Sequence, residues 1–132
     1  MIFRIIISLL LLSIVPSAAM AEELSYACKV IRVYELDRDG TLRTSNWDQQ
    51  FKGSEFIISR VTGEISGKVV PTFLAHSTKI INKGSKEYSF KAIADFEKQV
   101  QLIEVQEFVR KREKPFIVIS MGGAGIVTGL CE

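Results

Sequence analysis

The residues able to do chemistry in this chain are few: one histidine, two cysteines and a scatter of carboxylates. His76 stands with Ser54, Ser77 and Asp95 as candidate members of a serine–histidine–aspartate set. Such a set needs its nucleophile on a sharp turn of the form G-x-S-x-G, and the chain has no such turn. His76 follows Pro71 in what reads as a connection, where an exposed histidine needs no role. Glu104 and Glu107 read as solvent-facing positions on strands, not as a paired acid and base. No catalytic residue is assigned, and an enzyme is not expected. Zinc needs several His or Cys ligands, which one histidine and a bonded cysteine pair do not supply. No metal and no cofactor are expected.

The cysteines are Cys28 and Cys131. Redox pairs sit close in sequence, as in C-x-x-C, and these two do not. In an exported protein two cysteines usually pair. A Cys28–Cys131 bridge would close a loop of about 100 residues, worth roughly 4–5 kcal/mol on the chain-entropy model.

Two short motifs have plain structural explanations. Asp37-Arg38-Asp39-Gly40 resembles part of a calcium loop, but Thr44 and Ser45 stand where further ligands should follow. It reads as a hairpin turn. Gly122-Gly123-Ala124-Gly125 lacks the lysine and hydroxyl residue of a phosphate loop and precedes no helix, so it reads as a turn before the last strand.

Two groups of side chains are candidates for binding. Arg110, Lys111, Arg112 and Lys114 form the most concentrated charge in the chain. They read as a solvated hairpin tip or as a loop for an anionic partner, such as an acidic protein or envelope surface. Trp47, Phe51, Tyr88 and Phe90 could line an apolar ligand cavity if the domain is hollow. Small barrels either fill their interior or hold one small ligand, and both possibilities stand at this point.

The first residues place the protein. Arg4 is followed by an eleven-residue apolar run, Pro16, and the small residues Ala19-Met20-Ala21. This is the three-part pattern of a secretory signal, and the run is short of the roughly 20 residues a membrane span needs. Residues 1–21 are expected to be cleaved, leaving a mature N-terminus near Glu22 in the periplasm or outside the cell. Removing them from the 132-residue chain leaves 111 residues, one domain's worth. Arg4 is the only charge removed, so sixteen basic and fifteen acidic side chains remain. That balance argues against nucleic-acid binding, which needs a basic face. No second long apolar run follows, so no membrane span is expected in the mature chain.

The remaining pattern is one of strands and tight turns. Residues 26–36, 41–45, 55–60, 65–70, 78–82, 116–121 and 126–131 read as strands between glycine-containing turns. Residues 88–94 alternate, with Tyr88, Phe90, Ala92 and Ala94 on one face. Residues 96–114 have helix-forming composition, but their apolar residues scatter around a helical wheel. A strand with a bulge near Leu102 and Ile103 is favoured there. Residues 110–115 read as an exposed loop.

About eight short strands and no long helix predict an all-β domain, residues 22–132. An up-and-down antiparallel barrel sealed by a first-to-last-strand disulfide is preferred, with a β-sandwich as the alternative. In strand count and size the pattern resembles lipocalin-like and avidin-like barrels. Tyr26-Ala27-Cys28 resembles the opening of the lysozyme-inhibitor barrels, although their serine- and glycine-rich inhibitory loop is not present. The expected function is a non-enzymatic envelope binding module for a small apolar ligand or a protein partner. The alternative is an inhibitor of a secreted hydrolase such as a lysozyme or protease.

Overall fold

The computed structural model describes residues 24–121 and 125–132. The segment read as a signal peptide and residues 122–124 of the glycine turn lie outside the described residues. In order, the elements are β1 (Ser25–Leu36), β2 (Leu42–Thr44), α1 (Asp48–Phe51), β3 (Glu55–Ser59), β4 (Ile65–Gly67), β5 (Ser77–Lys83), β6 (Phe90–Asp95), β7 (Val100–Val105), β8 (Lys114–Met121) and β9 (Ile126–Cys131).

All pairings are antiparallel, and the ladder runs β4-β3-β1-β9-β8-β7-β6-β5. The fold is all-β, with its first and last strands side by side as expected. The sheet is curled around one core. Its hydrogen-bonded path ends at two edges, β4 and β5, and no ladder joins them among the described residues. The order is a simple meander from β5 to β9. It departs from that pattern at β1, which is long enough to serve two partners on one side.

Residues 25–29 of β1 pair with β3, and residues 34–36 pair with β2. The stretch between them is covered by other groups. Val30 exchanges backbone bonds with Gly53 and Ser54, and the Val33 carbonyl accepts from Ser45 N. The Val33 N–H donates to Asp48 Oδ1 at 2.8 Å. Buried backbone groups need partners, and α1 exists here to supply one.

Cys28 and Cys131 face each other directly in the β1–β9 register, with Cα atoms 3.9 Å apart, and are bonded. The next pair, Ala27 and Glu132, exchanges both backbone hydrogen bonds. The cysteines therefore occupy a non-hydrogen-bonded pair, the site where antiparallel strands come closest. Both are buried in the core.

The inward positions are filled by side chains. Tyr26 meets Phe90 edge-on at 5.4 Å between ring centroids, and Phe56 meets Phe116 at 5.1 Å. Ile58, Ile103, Val105 and Val118 complete the centre of the same buried cluster. The turn after β3 rests on this face: at Gly63 (φ +80°) a Cβ would lie 2.9 Å from the Ala92 methyl.

The structure corrects the reading of residues 96–114. Within that stretch residues 100–105 form β7, which pairs with β6 and β8 without a bulge, and Lys114 opens β8. Ile103 and Val105 point inward together with Gln101, while Val100 and Leu102 point outward. The alternation was hidden because one inward position is polar. Gln101 is buried and donates its amide to the Val70 carbonyl at 3.1 Å. The bulges lie in β1 between Val30 and Arg32 and in β5 between Ile80 and Asn82. Each leaves an isoleucine, Ile31 or Ile81, on the outside.

Candidate functional site

The β5–β6 and β7–β8 connections must fall at the same end of the sheet, because Lys83 pairs with Phe90, Phe90 with Val105 and Val105 with Phe116. They stand side by side and bound a groove of about 680 Å³, with Ser85 and Lys86 on one side and Phe108, Arg110 and Lys111 on the other.

Both loops are closed on themselves. Ser85 Oγ accepts from the backbone N–H groups of Glu87 and Tyr88, each at 3.1 Å. In the other loop, the Lys114 ammonium donates to the carbonyls of Glu107 at 3.1 Å and Val109 at 2.7 Å. β8 therefore begins at Lys114, earlier than the loop reading placed it.

The four basic residues grouped by sequence take different places. Arg110 and Lys111 line the groove and have no ionic partner among the described residues. Arg112 pairs with Glu132 at 3.2 Å. Lys114 pins the loop. Lys86, on the neighbouring loop, joins Arg110 and Lys111. The sequence reading missed it, although alternate hairpins of a meander necessarily open at one end of the sheet.

Glu107 and Lys114 also line the groove, and the Glu107 carboxylate is turned toward Tyr26 and Arg60. Its Oε2 accepts from the Tyr26 hydroxyl at 2.5 Å, and its Oε1 lies 3.7 Å from Arg60. The Arg60 guanidinium also covers the Tyr26 ring at 4.7 Å. Burial pushes the Tyr26 hydroxyl well above the usual tyrosine value, and the bond to Glu107 adds to the shift. Glu107 is thus neither on a strand nor freely solvated, contrary to the sequence reading, whereas Glu104 does sit on the outer face of β7. The Glu107 charge is engaged by Tyr26 and Arg60, whereas Lys86, Arg110 and Lys111 in the same groove have no ionic partner among the described residues.

The four candidate cavity aromatics are not brought together. Phe90 is fully buried in the core and Tyr88 lies before β6, largely exposed. Trp47, at the start of α1, and Phe51, its last residue, stack on each other at 6.0 Å, with Trp47 mostly exposed.

His76 lies beside Asp95 through its backbone N–H, which donates to the Asp95 carbonyl at 2.7 Å. No imidazole hydrogen bond to a serine or aspartate is present among the described residues. In the 37–40 turn, the Asp39 carboxylate accepts from both the hydroxyl and the backbone N–H of Thr41. Those bonds hold its pKa below the usual carboxylate range, the hydroxyl contributing most. No group of three or more His, Cys, Asp or Glu residues is placed to hold a metal among the described residues. Compared with protein-family models, curated proteins and solved structures, the chain matches none of them.

Proposed function

We propose that the chain is exported by way of residues 1–21 and that residues 22–132 act as a non-enzymatic binding module of the cell envelope. Its partner is an acidic protein surface held at the 84–89 and 106–113 loops. The observation that carries this reading is the convergence of Lys86, Arg110 and Lys111, from two separate loops, on one groove without ionic partners among the described residues. Phe108, 40 % exposed in the same groove, supplies an apolar contact of the kind that protein interfaces use.

The alternative, a small apolar ligand held inside, has less support because the inward positions are occupied by packed side chains. A disulfide suits an oxidising compartment. No helix among the described residues is long and apolar enough to cross a membrane. We also take the curled sheet to act as a barrel, sealed by side chains across the β4–β5 seam. The close approach of Gly63 to Ala92 supports that view.

The test is a titration of the purified protein with poly-glutamate at low and high salt. Saturable binding that weakens as salt screens the loops is expected. The triple variant Lys86→Glu, Arg110→Glu, Lys111→Glu should not bind. Equal binding by the variant, or none by the native protein at low salt, would remove the proposal.

A further inference from the structure

Glu107 is held from two strands that are not neighbours. The Tyr26 hydroxyl of β1 grips its carboxylate, and the Lys114 ammonium of β8 grips its carbonyl. β9 lies between β1 and β8. The span between the two grips is set by whatever fixes these three strands against one another at this end of the sheet.

The disulfide stands at that point. Cys28 is two residues from Tyr26, on the same face of β1. Cys131 is opposite Cys28 on one side and opposite Lys114 on the other. Side chains opposite each other in an antiparallel ladder share a face. Tyr26 and Cys28, then Cys131, then Lys114 thus follow one another across the core side of the sheet. Because Cys28 and Cys131 form a non-hydrogen-bonded pair, Cys131 turns its own backbone groups toward β8 and Lys114. Toward the groove, the β1–β9 ladder continues past the bridge only through the Ala27–Glu132 backbone pair among the described residues.

The loop above depends on these grips. Lys114 also holds the Val109 carbonyl at 2.7 Å, and Arg110 and Lys111 follow directly. A further tie joins Arg112 to Glu132, the residue after Cys131. That pair is exposed and of a kind that contributes little. The Tyr26 and Lys114 grips therefore decide where Arg110 and Lys111 stand relative to Lys86.

We propose that the Cys28–Cys131 bridge is a positioning element of the basic groove. By fixing β1 to β9 beside Lys114, it sets the two grips on Glu107 and holds Arg110 and Lys111 in place. This rests on the reading of the groove as a site for an acidic protein surface. It gives the bridge a role in the folded state, beyond the entropy it removes from the unfolded chain. A bridge acting only on the unfolded chain would leave the folded loop as it is. Cations held in place lose less freedom when a partner binds.

Limited trypsin digestion of the folded protein, with the cut sites read by mass spectrometry, tests the role of the bridge. In the Cys28→Ala, Cys131→Ala variant, cleavage after Arg110, Lys111 and Arg112 should quicken by at least about tenfold as the loop opens locally. Cleavage after Arg38 and Arg43, near the opposite end of β1, should not change. Sucrose keeps the variant folded where its stability falls short. Oxidised Tyr26→Phe and Lys114→Met, each lacking one grip, should show the same selective pattern with the bridge intact. Poly-glutamate binding should weaken by about tenfold in the alanine variant with its salt dependence unchanged, because the same cations are engaged. Arg110→Gln should instead flatten the salt dependence. Cleavage that rises at all sites alike, cleavage that does not change, or an alanine variant that binds like the native protein would each overturn the proposal. A native protein that ignores poly-glutamate would instead remove the acidic-partner reading, and the cleavage pattern alone would then decide the role of the bridge.

Discussion

The Tyr26 hydroxyl donates to Glu107 across 81 residues of sequence, at 2.5 Å. The bond ties the first strand to the base of the β7–β8 loop, and Arg60 from the β3–β4 turn completes the cluster. Tyr26→Phe keeps the ring against Phe90 and Arg60 but leaves the partly buried carboxylate short of a donor. A loss of about 1–3 kcal/mol is expected. Urea unfolding would measure it, with Arg60→Met as a companion variant that removes the other partner.

The same tyrosine makes an alkaline prediction. Its folded pKa is raised by burial, so the unfolded chain gives up this proton first. The stability Tyr26 contributes is whole below the ordinary tyrosine pKa and declines as pH rises above it. Following unfolding midpoints upward from neutral pH should show that decline in the native protein. The slope should be reduced in Tyr26→Phe. Identical slopes would contradict the assignment.

Acid should act on Asp48 in the opposite sense. Its carboxylate accepts from Val33 N and from Arg32 at 3.1 Å, and those bonds hold its pKa below the usual range, the backbone bond contributing most. Its contribution is present above the ordinary carboxylate pKa and is lost as pH falls through the depressed value. Asp48→Asn should lower the thermal midpoint at neutral pH and flatten its acid dependence. Amide exchange at Val33 should quicken in that variant.

The disulfide links residues 103 apart. Replacing both Cys28 and Cys131 with alanine should lower stability by up to roughly 4–5 kcal/mol on the chain-entropy model. The β1–β9 ladder has its own backbone bonds, so secondary structure should survive in mild conditions. Circular dichroism and denaturant midpoints, with and without reductant, check both halves of that expectation.

Gly129 is the tightest point in the sheet. It pairs with Phe116, and a Cβ there would lie 2.7 Å from the Phe116 ring and collide with the Lys29 carbonyl. A backbone carbonyl in a ladder has little room to give. Gly129→Ala should cost about 1–3 kcal/mol, as overpacking does. The Phe56–Phe116 ring contact should be disturbed, visible in aromatic nuclear magnetic resonance shifts.

Much of the strand layout was legible because period-two alternation is a local property. β9 was read with its observed bounds and β1 to within one residue. The reading failed where an inward position is polar, at Gln101, and where the loop end is defined by a lysine bonded to carbonyls, at Lys114. The basic loop was visible as a run of charge. Its division into groove-lining, paired and pinning residues was not, because that depends on which strand each residue neighbours.

By itself, then, the sequence indicated most of the strands and the all-β class, because these follow from side-chain alternation and the backbone demands of glycine. It also marked Cys28 and Cys131 as the pair to be joined. Tertiary structure alone decided that the sheet ends at β4 and β5 and that Phe90 enters the core while Tyr88 does not. It alone brought Lys86 to Arg110 and Lys111, and left Phe73 and Leu74 exposed between β4 and β5. Those outcomes rest on contacts between residues far apart in the chain, which local periodicity does not encode.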